Sequence, residues 1–346
     1  MAGWPRYGAA GRGPMKTRDL LKLRNTGHPG INSLFAKAHS ADWDFENDVD
    51  WSVPVELDDP LVAHGWAAYG RTPTFQALPE GVKTHATRRA VGRMLNILQV
   101  GESVAQNVCA KLVLLLREED YRNHAAAQAM DEARHHLAYC RFIGAMGEEV
   151  EDIDAGTEMM FDSLLSMNDP LELIATEQFF LESFAMSIFE GLRQDATHPV
   201  LRRILELITR DESRHMGFGV LYLAEWMRRQ PIDRRIAFAR RWMGQILGSL
   251  LDRPGPIMLA RVIRRLREVG VADAEALAPR LLREQHEINT AELAEAASGA
   301  KVPHLLKSAR RAGLLDPELL EALHLSNQPL IRGALRGGAE PTATHD

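Results

Sequence analysis

Residues 131–135 read Asp-Glu-Ala-Arg-His and residues 211–215 read Asp-Glu-Ser-Arg-His. Each contains Glu-x-x-His, which puts a carboxylate and an imidazole on neighbouring positions of one helix face. A single tetrad of this kind is weak evidence, since about one is expected by chance in a chain of this composition. Glu321-Ala-Leu-His324 reads as that chance instance. The longer signature is far more specific: four of its five residues recur at an offset of 80. The repeat extends upstream, where Glu102-Ser103-Val104-Ala105 and Glu182-Ser183-Phe184-Ala185 match at the same offset. Each lone glutamate precedes its Glu-x-x-His glutamate by 30 residues.

In an antiparallel helical hairpin, residues equidistant from the turn lie at one height. The midpoints here are 117 and 197; the second falls in Asp195-Ala-Thr-His-Pro199, and the first turn is expected between Arg117 and Arg122. Glu102, Glu132 and His135 would then face Glu182, Glu212 and His215 across two hairpins. Four carboxylates in a core are costly to desolvate and repel one another. Two divalent cations cancel their charge. Carboxylate and imidazole donors without thiolate favour iron or manganese over structural zinc. A ligating imidazole usually donates its other N–H to a carboxylate. Asp131 and Asp211 are expected to do this for His215 and His135, with Arg134 and Arg214 balancing their charge. Glu177 is the alternate to Glu182. Five residues separate them, about 140° around an α-helix, so the two are not expected to ligate together. The repeat favours Glu182.

The elements that must position these residues read as helices throughout, with almost no strand signal. Long helices are expected from about Thr84 to Glu119, from Asn123 to Gly147, from Asn168-Asp169-Pro170 to about Arg193, and onward to Arg229 before Pro231. Asp169 is suited to cap its helix and Pro170 to open it. This divides the chain into an arm of short helices and loops (1–83) and a four-helix core (84–230). A C-terminal helical extension (231–332), punctuated by Pro254, Pro256 and Pro279, and a disordered tail (333–346) follow. An acidic run from Glu148 to Asp154 separates the hairpins. The arginines of the extension are expected to form a solvated face.

The chain has 346 residues, 41 Lys+Arg against 47 Asp+Glu, and 45% hydrophobic residues. The composition allows a sizeable core, and a net charge of -6 argues against nucleic acid as a partner. Cys109 and Cys140 are too few to staple the fold and suggest reduced thiols and a cytoplasmic location. No apolar run suits a signal peptide or a membrane span.

These motifs resemble those of the ferritin-like di-iron carboxylate superfamily, nearest the bacterial multicomponent monooxygenase hydroxylases and the ribonucleotide reductase small subunit. The resemblance implies an all-α, ferritin-like four-helix bundle and a non-haem di-iron oxygenase or oxidase. It implies that Glu102, Glu132, His135, Glu182, Glu212 and His215 hold two Fe ions or a Mn/Fe pair, with Glu132 and Glu212 bridging. The partners implied are O2, a small, largely apolar substrate and an external reductase or ferredoxin, since no Gly-rich nucleotide fingerprint is present. A homodimer is one candidate assembly. Among the phenylalanines near Glu182, Phe179 and Phe189 with Met186 are candidates for the substrate pocket, and Phe180 and Phe184 lie beside them. Tyr139, one turn past His135, is similar in place to the radical tyrosine of the reductase subunit and is a candidate redox or pocket residue. Its counterpart Gly219 is expected to leave one side of the site open. Arylamine N-oxygenases of this superfamily carry a third histidine where Ile208 stands here, so the motifs do not single out one branch. A ferroxidase and a radical-generating subunit using Tyr139 are the alternatives.

Overall fold

The computed structural model describes residues 17–20, 22–67, 69–147, 152–250, 255–300 and 302–336. The acidic run at 148–151, Pro254 and the tail beyond 336 lie outside them. Helix α1 (Pro29–Ser40) is followed by loops and the first hairpin, α2 (Glu80–Leu115) and α3 (Glu119–Met146). Helix α4 (Ala155–Ser166) leads to α5, a continuous rod of α-helical Pro170–Ile174, π-helical Ala175–Leu181 and α-helical Glu182–Asp195. Helix α6 (Pro199–Arg229) completes the second hairpin. The C-terminal part adds α7 (Ile232–Leu250), α8 (Gly255–Glu268), α9 (Ala274–Ser298), α10 (His304–Arg311), α11 (Pro317–Ala322) and α12 (Pro329–Arg336). The protein is all-α. Among the described residues the only β pairings are isolated bridges, Arg24 with Glu118 and Val62 with Ala196.

Core-facing stripes explain why the four long helices assemble. Buried positions on α2 run 88, 91, 95, 98, 102, 105, 109, 112, alternating steps of three and four. On α3 they include 121, 125, 128, 132, 135, 139, 142 and 146, and on α6 the same series recurs 80 residues later. That alternation keeps one face of each helix turned to its neighbours. The glutamates and histidines therefore occupy core positions in the stripe. The turns are residues 116–118 and 196–198, centred on 117 and 197.

Local signals set the ends. Asp169 accepts hydrogen bonds from the Leu171 and Glu172 amides (2.9 and 3.2 Å) and Pro170 opens α5. Gly147 closes α3 in the left-handed region (φ 68°), where a side chain would be strained. α3 starts at Glu119, four residues earlier than Asn123, with Glu119 and Asp120 in its first turn, where negative charge suits the helix dipole. Pro279 does not interrupt the extension. It lies inside α9, early enough to remove one backbone hydrogen bond, while Ala274, Ala278 and Leu281 anchor the helix in a local core with Phe75, Val262 and Leu266.

Two large apolar clusters lie at opposite ends of the bundle. One joins Val108, Leu112, Tyr121, Phe179, Phe218 and Tyr222 to Phe238 and Trp242 of α7. The other joins Val91, Leu95, Tyr139, Phe142, Met186, Phe189 and Ile204 to Trp43, Val49 and Leu61 from the N-terminal segment. The arginines of the extension bond within the chain: Arg241 pairs with Glu172 (2.6 Å) and Arg240 donates to the Ala322 carbonyl (3.0 Å). No helix among the described residues is long and apolar enough to cross a membrane.

Gly219 does not open the bundle. A Cβ there would meet the Gln178 carbonyl oxygen at 2.5 Å and the Phe179 nitrogen at 2.8 Å, because the π-helical turn of α5 presses its backbone onto α6. Gly219→Ala is expected to lower stability by about 1–3 kcal/mol, the usual cost of overpacking. The denaturant midpoint measures it, and an unchanged midpoint would show that the two backbones can separate freely.

Candidate metal centre

The bundle brings all six ligand candidates together between the two clusters, each of them buried. One group comprises Glu102, Glu132, His135 and Glu212, the other Glu132, Glu182, Glu212 and His215, with one potential ligand atom from each residue within 4.8 Å of the rest. Glu132 and Glu212 belong to both. Glu132 places Oε2 at 3.1 Å from His135 Nδ1 and Oε1 at 3.2 Å from His215 Nδ1. Glu212 places Oε1 at 3.0 Å from His135 Nδ1 and Oε2 at 2.8 Å from His215 Nδ1. Each of these carboxylates thus offers one oxygen to either imidazole, as bridging requires. Glu102 lies 3.5 Å from His135 Nδ1, and Glu182 lies 3.9 Å from His215 Nδ1.

The donor set suits two cations. His135 Nδ1 has three carboxylate oxygens within 3.5 Å and makes no hydrogen bond with any of them, and Glu132 Oε2 is likewise buried without a partner. Such orphaned atoms converging on one point need a common electropositive partner. The opposite ring nitrogens are fixed across the hairpins: His135 Nε2 faces Asp211 Oδ2 (3.2 Å) and His215 Nε2 faces Asp131 Oδ2 (3.0 Å). Arg214 donates to Asp211 (2.8 Å) and Asp131 (3.1 Å), and Arg134 also bonds Asp131. This arrangement turns Nδ1 of both rings towards the shared glutamates, the side on which a cation would sit.

Several contributors carried no readable signal. Trp43 donates from Nε1 to Asp211 Oδ2 (2.7 Å) across 168 residues, and Arg134 lies over its ring. Gln128, on the stripe one turn before Glu132, donates to Glu132 (2.8 Å) and Glu182 (3.1 Å). Its polarity among apolar stripe residues was the one available hint. Glu177 is buried close by but belongs to neither group. The pocket candidates separate: Phe179 packs on Trp242 at one end of the bundle, while Met186 and Phe189 join Tyr139 at the other. Phe180 also packs towards Trp242, and Phe184 is exposed. Of the two cysteines, both free, Cys109 is buried.

Such a nest, built from paired helical hairpins, defines a di-metal carboxylate oxidoreductase. Residues 28–255 match the family described as P-aminobenzoate N-oxygenase AurF, and the chain belongs to that family of non-haem di-iron oxidoreductases. The missing histidine at Ile208 does not keep it out. Among solved structures, the chain is similar to two structures of one variant of R2-like ligand-binding oxidase with a Mn/Fe cofactor. The anaerobically reconstituted one is 16% identical with a TM-score of 0.49, covering 75% of this chain and 92% of that one. The aerobically reconstituted one is 14% identical with a TM-score of 0.47 over the same shares of each chain. No curated protein matches the chain.

Without metal the nest holds protons. Burial, then the charge of Glu212, pushes Glu102 and Glu182 well above the usual carboxylate range. Burial, then Glu132 and Glu212, pushes Glu177 up to about 8. Burial disfavours protonating His135 and His215, but Asp211 and the glutamates around His135, and Glu132 and Glu212 beside His215, outweigh it and raise both. Burial also works to raise Asp211, yet His135, Arg214 and Trp43 hold it below the usual range. A group whose folded pKa is raised stabilises the fold at low pH, and that contribution is lost as pH climbs through the folded value. For Glu177 the window runs from 4.5 to about 8. Asp211 and Glu212 lie below it and are ionised there in both states. The metal-free protein should therefore melt at a lower temperature at about pH 8 than at about pH 5, and divalent metal, which displaces the protons, should abolish the decline. A flat metal-free profile would contradict this.

Proposed function

We propose that Glu102, Glu132, His135, Glu182, Glu212 and His215 hold two iron ions, and that the enzyme uses them for O2-dependent oxygenation of an amino group on a small, largely apolar aromatic substrate. The observation that carries the reading is the pair of four-residue groups sharing Glu132 and Glu212, with unpaired buried atoms turned inward. The family description supplies the amine, since its named activity is p-aminobenzoate N-oxygenation. A Mn/Fe pair would be held by the same donors.

Bound iron supplies the site for O2 and electrons for its reduction. The chain's own residues do the rest. Asp211 and Asp131 hold the imidazole tautomers, and Arg214 bonds both aspartates inside the bundle. Trp43 closes the His135 side by donating to Asp211. The apolar cluster around Tyr139, Met186, Phe189 and Ile208 gives one end of the nest a dry wall, which suits an aromatic substrate and excludes water. Tyr139 is fully buried, its hydroxyl without a partner, and burial together with the Glu102 charge keeps it a neutral phenol. An external reductase or ferredoxin supplies electrons in this reading.

Anaerobically iron-loaded protein should carry near two irons per chain, and Glu132→Ala should lose most of both because its carboxylate serves each position. With a chemical reductant and p-aminobenzoate, O2 uptake should yield an N-oxidised product in wild type and none in the variant. Absence of stoichiometric iron in wild type would sink the metal assignment. Two irons with O2 uptake but no amine oxidation would sink the substrate.

A further inference from the structure

Glu177 has no task in the six-ligand arrangement, yet it is 5% exposed and its Oε2 is buried without a hydrogen-bond partner. Unpaired buried carboxylates are costly, so the position asks for a counter-charge. It lies on the π-helical segment that leads directly into Glu182, a member of the nest, while its own carboxylate stands outside both four-residue groups. An ordinary α-helix would turn it about 140° away from Glu182. The π-helical turn removes that separation. The Glu182 amide donates to the Glu177 carbonyl, an i to i+5 bond that stacks the two residues on one face. The turn is locked in place, because only a glycine at 219 lets the Gln178 backbone approach α6 so closely.

We propose that Glu177 is a seventh, exchangeable carboxylate of the centre, taking over from Glu182 at the ion held with His215. The proposal rests on the six-ligand reading. Glu182 is the residue suited to yield. Its 3.9 Å separation from His215 Nδ1 is the longest ligand-to-imidazole distance in the nest, and its Oε1 is held by Gln128 from the side. Replacing one carboxylate–metal bond by another leaves the charge of the centre unchanged, so neither oxidant nor reductant is needed. Both residues sit on one rigid helix, and exchange asks only for side-chain rotation. It frees a coordination position on the Glu182 side while keeping the ion neutralised.

Cobalt(II) is the probe, read by bound metal per chain, visible absorption and chelator competition on wild type, Glu177→Gln, Glu182→Ala and the double variant. Wild type and Glu177→Gln should bind two ions. Glu182→Ala should keep two, the second weakened about tenfold, within the range seen when supporting groups around a metal are lost. The double variant should keep one. Equal binding by Glu182→Ala and the double variant overturns the exchange while leaving the six-ligand reading intact. Wild type that binds no cobalt overturns both. If Glu182→Ala does not fold, Glu182→Gln, which preserves volume, serves in the same comparison.

Discussion

The structure depends on neutralising charge where no water reaches. Glu102, Glu132, Glu182 and Glu212 sit in the middle of a helical bundle, and an isolated carboxylate there costs several kcal/mol or more. Everything near them answers that cost. The imidazoles turn Nδ1 towards the glutamates and Nε2 towards an aspartate, so negative charge lies on both sides of each ring. Arg134 and Arg214 face the outer aspartates, completing an alternation of sign from the helix surface to the centre. Protons can fill the innermost role at low pH, but two cations fill it without giving up the carboxylates' geometry.

Helical periodicity delivers these groups to one place. Glu132 and His135 are three residues apart on the stripe, and so are Glu212 and His215, with apolar residues continuing at the same spacing. The flanking stripe positions, Ala125, Phe142, Leu205 and Tyr222, bury apolar surface. At roughly 25 cal/mol per Å², such burial at both ends can offset an electrostatically unfavourable middle. The glutamates and histidines then inherit the register of the hairpins, and both turns are three residues long.

How much of this was legible in the sequence follows from the range of each interaction. The repeat at an offset of 80 encoded the turn centres, because equal heights in two hairpins demand equal spacing. Asp169-Pro170 encoded the start of α5, because capping is a contact between near neighbours. The hydrogen bond from Trp43 to Asp211 spans 168 residues and leaves no local trace. Pro279 looked like a break because its chemistry disfavours helix, while the packing that overrides it comes from elsewhere in the chain. The most consequential departure is the π-helical turn. Spacing converted to angle assumes 3.6 residues per turn, and that assumption set Glu177 and Glu182 apart when the backbone stacks them.

The same turn explains why a duplicated motif yields an asymmetric site. The two pairs of stripe positions next to the glutamates and histidines differ between the halves: Gln128 against Ile208, and Tyr139 against Gly219. Gly219 lacks a side chain because the Gln178 backbone occupies the space Tyr139 fills in the other half. Gln128 supplies hydrogen bonds to Glu132 and Glu182 that Ile208 has no atoms to make. One end of the nest is consequently polar, with Gln128, Glu177 and Gln178 buried around it, and the other is apolar, with Tyr139, Met186 and Ile208. A symmetric site would present its two metal positions with equal surroundings. Here the position beside Glu182 is next to spare polar groups and the opposite end has a dry wall, a difference of environment that gives the centre a direction.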